Sequence, residues 1–312
     1  MTQSTEAITP THQEVDVSVL LSILWRKKWL IGLVTLIFSA AAAFYALRLA
    51  DTYRSEVLLA AVGSSSSMNL PGQLGGLAAL AGVNLGSLNK NGDNTALALE
   101  ILKSRDFIGR FVEKHQLLLP LMAAKSWDRA TDSLVFDEKI YLAEQQKWVR
   151  DVSAPFKPEP SLLEAYDAFM KRFNVVHDKS AGMVRLSISY YSPYLAQQWL
   201  TLIVADLNEE MRLLELNQAQ RSIDFLSKQI KETNLADVRT TLYSLIEEQT
   251  KTLMLANVRE EYVFKTVDAA YAPERKAAPK RSLIVVLAAL LGGLLSSTLV
   301  LFRSLSYRSS TN

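Results

Sequence analysis

Three histidines are the first residues whose chemistry warrants attention, because imidazole binds metal ions and moves protons near neutral pH. They lie far apart in the chain, at His12, His115 and His177. None stands at metal-ligand spacing from another, and the chain has no cysteine to complete a zinc site. We therefore expect no metal and no cofactor, and we assign the histidines to the surface or to packing.

Adjacent carboxylates are the second candidate, since glycoside hydrolysis needs two carboxylates facing each other across roughly 5 to 9.5 Å. The obvious pairs are Glu209–Glu210, Glu247–Glu248 and Glu260–Glu261. Sequence neighbours point apart on a helix, so we interpret these pairs as solvated faces. A catalytic pair assembled by tertiary folding is the alternative that the sequence leaves open.

Other catalytic signatures do not occur in the sequence. There is no G-x-x-x-x-G-K-[ST] loop to cradle phosphate and no G-x-S-x-G nucleophile turn. The net charge of +2, with basic residues beside apolar runs, does not favour nucleic acid. Aromatic residues near a predicted strand-to-helix junction could stack on sugar rings, although core packing is their commoner role. These are Tyr190, Tyr191, Tyr194 and Trp199.

Two long apolar runs frame the chain and constrain where any site can lie. The first, 29–47, holds no charged residue and follows a basic cluster at 26–28. The second, 282–302, lies between basic residues at 280–281 and Arg303. The shorter run, at about 1.5 Å per residue, covers roughly 28 Å, which is enough to cross a hydrocarbon core. Both are predicted to be transmembrane helices.

The basic cluster at 26–28 predicts that both tails are cytoplasmic, because the first helix usually sets orientation. Basic residues at 275–281 oppose this weakly, since the segment before them is far longer than the loops that obey the rule. A signal peptide cleaved near the small residues 39–43 is an alternative; the long polar leader and the apolar continuation at 44–47 count against it. The predicted domains are 1–28 cytoplasmic, 29–47 transmembrane, 48–281 periplasmic, 282–302 transmembrane and 303–312 cytoplasmic.

The second apolar run carries two rows of small residues repeating at every fourth position. One row is Ala288, Gly292 and Ser296, and the other is Ala289, Gly293 and Ser297. Small residues at this spacing let a neighbouring helix backbone come close. We predict transmembrane helix packing through these six residues, although membrane helices are rich in Gly and Ala in any case.

Strand and helix patterns are mixed between the two spans. Runs rich in β-branched and aliphatic residues predict strands at 52–62, 173–176, 183–191 and 262–267. Apolar residues at helical spacing predict helices at 95–118 and 161–172, and one or two more across 127–152. Residues 63–92 interleave glycine with leucine, which indicates a partly ordered loop that packs either within the chain or against a subunit, membrane or lipid-linked substrate.

The longest helical pattern runs from Pro193 to Glu232, or roughly 60 Å if continuous. Its apolar face is broad over 195–216 and then narrows to a coiled-coil-like seam. The seam consists of Ile223, Leu226 and Ile230. A narrowing apolar stripe indicates a helix that leaves the globular body, and a turn at 234–237 then reverses the chain. The predicted fold is an α+β membrane protein: two transmembrane helices flank a periplasmic α/β base with a long protruding helical hairpin.

Three stretches resemble the Wzz-type polysaccharide chain-length determinants, also called polysaccharide co-polymerases. The residues before the first span resemble the family's pre-membrane signature, and 53–55 resembles its opening strand. The segment 268–283 is similar to the family's proline-rich segment, although Ala269 and Lys276 stand where further prolines are usual. The residues that carry this last likeness are Pro273, Pro279, Lys280 and Arg281.

The resemblance implies an inner-membrane protein of Gram-negative type that forms ring-like homo-oligomers. It also implies that the membrane-bound O-antigen polymerase and lipid-linked polysaccharide are partners, and that the product's modal length is regulated without catalysis. Some relatives carry a cytoplasmic kinase domain, which we do not expect here. The alternatives are a membrane-anchored periplasmic enzyme that processes glycan and a ligand-binding sensor component.

Overall fold

The computed structural model describes residues 25–62, 90–259 and 261–309. The chain divides into two compact units: a helical unit, made of residues up to Leu49 and from Ala278 onward, and a large unit, Ala50–Ala277. His12, Glu260 and most of the Gly/Leu-rich segment lie outside the described residues.

Eight helices and eight strands occur in the described residues. The helices are α1 (Lys28–Arg48), α2 (Lys90–Lys103), α3 (Arg105–Lys114), α4 (Leu118–Ala123), α5 (Leu162–Met170), α6 (Pro193–Glu232), α7 (Ala236–Val258) and α8 (Arg281–Ser309). The strands are β1 (Tyr53–Ala61), β2 (Ala124–Asp128), β3 (Ser133–Phe136), β4 (Tyr141–Leu142), β5 (Lys147–Trp148), β6 (Phe173–Asp178), β7 (Met183–Tyr190) and β8 (Phe264–Asp268). This mixture, with an apolar helix on each side of it, confirms the predicted fold class.

A four-stranded antiparallel sheet in the order β6-β7-β1-β8 forms the centre of the large unit. Its register places Tyr53 opposite Tyr190 and Val57 opposite Leu186. Alternate side chains of β7 are fully buried, as the alternating pattern predicts: Val184, Leu186, Ile188 and Tyr190. The sheet therefore has one continuous apolar face.

The first half of α6 covers that face. Trp199 packs on Tyr190 with ring centroids 4.4 Å apart, and both side chains are buried. Burial along α6 continues to Met211 and then, apart from Ala219, stops. The helix therefore leaves the core where its apolar stripe narrows, as the sequence indicates, and α7 packs back alongside it.

The predicted helix at 95–118 is instead two helices, with α4 starting at its end. Helix α2 begins at Lys90, five residues before the predicted start at residue 95. Ser104 then interrupts the run, and its hydroxyl accepts a hydrogen bond from the amide of Phe107, which caps α3. One polar residue with a capping side chain is enough to break an otherwise continuous apolar pattern.

The prediction of helices across 127–152 is wrong. This stretch folds as two small hairpins, β2–β3 and β4–β5, with a 3₁₀ turn between the latter two strands. Asp128 closes the first turn by accepting hydrogen bonds from the amide of Ala130 and the hydroxyl of Thr131. Tyr141 and Trp148 pair across the second hairpin with centroids 5.1 Å apart. Turn chemistry and cross-strand aromatic packing override the weak helical spacing.

Candidate functional site

The helical unit holds two helices, α1 and α8, that are each long and apolar enough to cross a membrane. Their bounds differ from the expected spans by one residue at each end of α1 and by an earlier start and a later end for α8. Both expose most of their large apolar side chains, as lipid-facing helices do. These two helices anchor the chain in a membrane.

Two of the six small residues of α8, Gly292 and Gly293, lie against α1. Gly292 and Ser296 are buried, and the other four, Ala288, Ala289, Gly293 and Ser297, are half-buried, whereas the intervening leucines are exposed. A Cβ atom built on Gly292 would lie 2.9 Å from the Cβ of Phe38 and 3.5 Å from the Cα of Thr35. The neighbouring Gly293 has more room, with Thr35 Oγ1 at 3.8 Å. Of the two glycines on α8, Gly292 is thus the one that approaches α1 more closely.

The return segment, residues 269–277, lies against the first residues of β1. Ser55 donates a hydrogen bond to the carbonyl of Tyr271 at 2.7 Å, and the amide of Ala277 donates to the carbonyl of Thr52 at 2.8 Å. Lys276 lies 3.3 Å from the Asp51 carboxylate. The position where the related family is richer in proline is thus occupied here by an ion-pairing lysine.

The family-like residues of this segment have different environments. Pro273 is buried in the large unit, Pro279 follows a cis peptide bond, Lys280 is exposed, and Arg281 is the first residue of α8. Pro273 therefore belongs to the large unit, whereas Lys280 and Arg281 belong to the helical unit.

Asn208 joins the long helix to the last strand, and the sequence interpretation did not include it. The side chain is buried, and its Oδ1 accepts hydrogen bonds from the amides of Val263 and Phe264, each at 3.0 Å. Its Nδ2 donates to the Phe264 carbonyl at 3.0 Å. Asn208 stands in the apolar stripe of α6, four residues after Val204 and three before Met211. This position was the feature of the sequence that could have predicted a buried polar side chain.

The outer half of α6, the turn after it and the whole of α7 expose many large apolar side chains. They include Leu213, Leu214, Phe225, Leu235, Val238, Tyr243, Leu245, Met254, Leu255 and Val258. Phe225 is 62% exposed and Met254 is 66% exposed. A helical hairpin that leaves the core with this surface uncovered is typical of elements that pack on another protein.

The Glu209–Glu210 pair separates, as expected for sequence neighbours. Glu209 binds Arg212 on its own helix, whereas Glu210 makes a bidentate pair with Arg110 of α3 at 2.9 and 3.0 Å. Glu247 and Glu248 are exposed on α7, and Glu261 accepts a hydrogen bond from the amide of Thr266. Glu209 and Glu210 are thus each held by a different arginine, and Glu260 lies outside the described residues.

The described histidines lie on the large unit, and the structure does not bring them together with a metal-binding set. His115 Nε2 is 2.8 Å from Asp206, which also binds Lys114 at 2.7 Å. His177 lies in β6 opposite Val184. Among the described residues there is no group of three His, Asp or Glu side chains placed to hold a metal ion.

Glu164 is the carboxylate whose pKa is displaced most, to about 2. The main cause is a pair of hydrogen bonds that Arg150 donates to the Glu164 carboxylate. The backbone amide of Ser161 also donates to this carboxylate, in a capping box in which the Ser161 hydroxyl accepts from the amide of Glu164. A carboxyl held ionised in this way anchors the 150–160 loop to α5. It is unsuited to act as a general acid near neutral pH.

The four aromatic candidates are divided between core and surface. Trp199 and Tyr190 are buried, burial raises the pKa of the Tyr190 hydroxyl, and that hydroxyl donates to the carbonyl of Pro120. Tyr191 is half-buried beside Tyr190. Tyr194 is 56% exposed, with its ring edge toward Trp127. Core packing therefore accounts for two of them.

Comparison with known proteins adds two family matches. Residues 13–115 match the family model "Chain length determinant protein" (Wzz). Residues 232–305 match GNVR, a G-rich domain described on candidate tyrosine kinases. The two models match separate parts of the chain, one at each end. No curated protein sequence matches.

Two solved structures resemble the chain at low identity. One is a full-length bacterial polysaccharide co-polymerase, with 15% identity and a TM-score of 0.35, covering 94% of this chain and 99% of that one. The other is a fragment of WzzB, a polysaccharide co-polymerase from Salmonella Typhimurium, with 12% identity and a TM-score of 0.32, covering 73% and 100%. The match to the chain-length-determinant model confirms the resemblance noted in the sequence: residues 13–115 are similar to the Wzz-type chain-length determinants.

Proposed function

We propose that this protein regulates the modal chain length of a surface polysaccharide of O-antigen type. The observation that carries the proposal is the match of residues 13–115, which include the first span and β1, to the chain-length-determinant model. The protein would act as a homo-oligomeric scaffold for a membrane-bound O-antigen polymerase and its growing lipid-linked glycan. In this role it supplies surfaces and needs no active site.

The uncovered side chains of α6 and α7 support the oligomer. An isolated helical hairpin gains nothing from exposing Phe225, Tyr243 and Met254 to water, because each loses the free energy of burial. Packing between neighbouring copies would bury these side chains. The length of α6, roughly 60 Å for its 40 residues, allows contacts between subunits along the whole hairpin.

The proposed orientation places the large unit in the periplasm and both tails in the cytoplasm of a Gram-negative inner membrane. The basic cluster Arg26, Lys27 and Lys28 before α1 supports it. Fusions of alkaline phosphatase near Gly86 and Gln249 test it, because the enzyme is active only after export. Active fusions at both sites are expected, and inactive ones would overturn the topology.

A deletion strain tests the function itself. Gel electrophoresis of its surface polysaccharide is expected to show that polymer is still made while the modal band is lost. Loss of all polymer would instead favour a glycan-processing enzyme. In that case, changing one catalytic carboxylate would also abolish synthesis, whereas the scaffold tolerates every single carboxylate change with polymer still made.

A further inference from the structure

Three aromatic rings from separate elements meet at the surface of the large unit. Tyr53 is the first residue of β1, Trp127 lies in β2, and Tyr194 is in the first turn of α6. The ring centroid of Trp127 is 5.7 Å from that of Tyr53 and 6.1 Å from that of Tyr194, and both contacts are edge-to-face. These three side chains form one contiguous group, the aromatic cluster.

The fold holds the aromatic cluster in place. Tyr53 lies opposite Tyr190 in the register of the sheet, and α6 starts at Pro193, three residues after Tyr190. The indole Nε1 of Trp127 donates a hydrogen bond to Asp132 at 2.9 Å, across the turn of the β2–β3 hairpin. The rings are therefore positioned by the sheet, the long helix and a hairpin at once, and a ligand finds them already assembled.

The aromatic cluster differs in exposure from the aromatic pair beside it. Tyr190 and Trp199 are buried in the core, whereas Tyr194 is 56% exposed and the other two rings of the cluster are half-buried. Single exposed aromatic residues are ordinary on a protein surface, but rings that touch one another and keep accessible area form a patch that marks a binding site.

Polar groups surround this patch. The Asp132 carboxylate is exposed beside the indole, and Gln198 is exposed one turn after Tyr194 on the same face of α6. A pyranose ring has one face of C–H groups and a rim of hydroxyl groups. The C–H face packs on the negative face of an aromatic ring, and the hydroxyl groups bond to carboxylate, amide and phenol groups.

We propose that the aromatic cluster binds a sugar ring of the growing polysaccharide, with the C–H face of the sugar on Tyr194 and its hydroxyl groups toward Asp132 and Gln198. The inference rests on the proposed function for the identity of the glycan, and it adds the place where this chain holds it. Tyrosine and tryptophan also gather at lipid surfaces. A carboxylate bonded to the indole itself suits hydroxyl groups better than acyl chains, because contact with an acyl chain would remove water from that charge.

The test uses the full chain in lauryldimethylamine oxide, a detergent that contains neither a sugar nor an aromatic group. The probe is the surface polysaccharide of the host bacterium, released by mild acid and cut to oligosaccharides short enough to engage a single copy of the chain. Saturation-transfer NMR, with irradiation of the aromatic protons of the protein, is expected to transfer saturation to C–H protons of the sugar. The absence of transfer would overturn the proposal.

Variants of Tyr194 locate the site. Tyr194→Ala is expected to weaken binding about tenfold, because it removes the most exposed ring of the cluster. Tyr194→Phe keeps the ring and is expected to bind nearly as well as the natural chain. Phe156→Ala is the matched control, since that ring is also 56% exposed but lies on the loop that Arg150 holds. Equal losses for Tyr194→Ala and Phe156→Ala would overturn the site.

A lipid surface is the competing occupant, and two results would reveal it. Tyr194→Leu keeps an apolar side chain without a ring, so a sugar site loses binding as it does in Tyr194→Ala. Unchanged binding by Tyr194→Leu would overturn stacking. In vesicles of brominated phosphatidylcholine, quenching of Trp127 fluorescence, measured as the difference from Trp127→Phe, would place the cluster in the lipid surface and would likewise overturn the sugar site.

The deletion strain separates this inference from the proposed function. A modal band that is lost on deletion, without saturation transfer to the sugar, would overturn the site alone. Saturation transfer that Tyr194→Ala weakens, together with an unchanged modal band in the deletion strain, would support the site and overturn the regulation of chain length.

Discussion

Asn208 is a single polar side chain that fixes the path of the chain from α7 into β8. It satisfies two amides and one carbonyl where the chain enters the edge strand of the sheet. Val263 and Phe264 are both buried, so loss of the Asn208 side chain would leave polar backbone groups away from water. The position of β8, and with it the return toward the membrane, depends on this amide.

We predict that Asn208→Leu destabilises the large unit by about 3 kcal/mol, because several buried backbone groups lose their partners at once. Thermal unfolding of the full chain in detergent, followed by circular dichroism, measures the loss. Asn217→Leu is the control, since Asn217 is exposed on the same helix. Equal stability of the two variants would contradict the role assigned to Asn208.

Glu164 gives the large unit an acid-sensitive contribution to stability. Its pKa in the folded protein is about 2, below the ordinary value, so the contribution is present above about pH 4 and is lost as the pH falls toward about 2. We predict that Glu164→Gln costs about 1 kcal/mol near neutral pH and that the cost shrinks on acidification. Glutamine preserves the capping box, so the change isolates the charge.

Urea unfolding at a series of pH values measures this dependence. Glu159→Gln is the matched control, because Glu159 is exposed in the same loop. A cost for Glu164→Gln that stays constant from about pH 7 to about pH 3 would contradict the linkage to Arg150.

At the scale of elements, the close packing of α1 and α8 leads to a test that exploits the absence of cysteine from the chain. Introduced cysteines at Thr35 and Gly293 are expected to form a disulfide within one chain, since a Cβ atom on Gly293 lies 3.8 Å from Thr35 Oγ1. Non-reducing gels after proteolysis in the large unit detect the link. Dimers linked between chains would instead assign the small-residue face to subunit contacts.

Gly292→Ala is expected to slow this disulfide, because the added methyl group meets the backbone-proximal Cβ of Phe38 and forces the helices apart. Gly32→Ala is the control, because a Cβ atom there meets nothing within 4 Å. A disulfide that forms equally fast in both would show that close approach at Gly292 is unimportant.

The sequence predicts the regular elements well where one strong periodicity acts alone. The run from Pro193 to Glu232 contains no other proline and no glycine, and β7 alternates cleanly, so each element follows from local pattern. The hairpins between Ala124 and Trp148 could not be predicted in the same way. Their formation depends on turn hydrogen bonds at Asp128 and on aromatic pairing across strands, which spacing does not reveal.

At the scale of the whole molecule, the uncovered surface of α6 and α7 predicts an effect on assembly. Phe225→Asp replaces a large exposed apolar side chain with a charged one. It is expected to reduce the mass of the oligomer in detergent, measured by light scattering. The strain that carries it is expected to make polysaccharide with an altered modal length. Gln218→Asp, an exposed change of equal charge on the same helix, should affect neither property.

An unchanged mass together with an altered modal length for Phe225→Asp would mean that this residue meets the polymerase or the glycan. The sequence indicates such a surface only as a narrowing stripe ending at Ile230. The exposed residues of this surface depend on where α7 lies beside α6. That position is set by packing between the two helices, which no single sequence motif reveals.

The two ends of the large unit lie side by side, since Ala277 bonds to Thr52 and Lys276 pairs with Asp51. A unit whose ends are already clasped behaves as an insertion between two anchors. Insertions, deletions or replacement of the whole unit would therefore affect only the junction where its two ends meet. Differences between relatives in α6 and α7 would then leave the membrane helices unchanged. A different polysaccharide length would require no change in the central sheet.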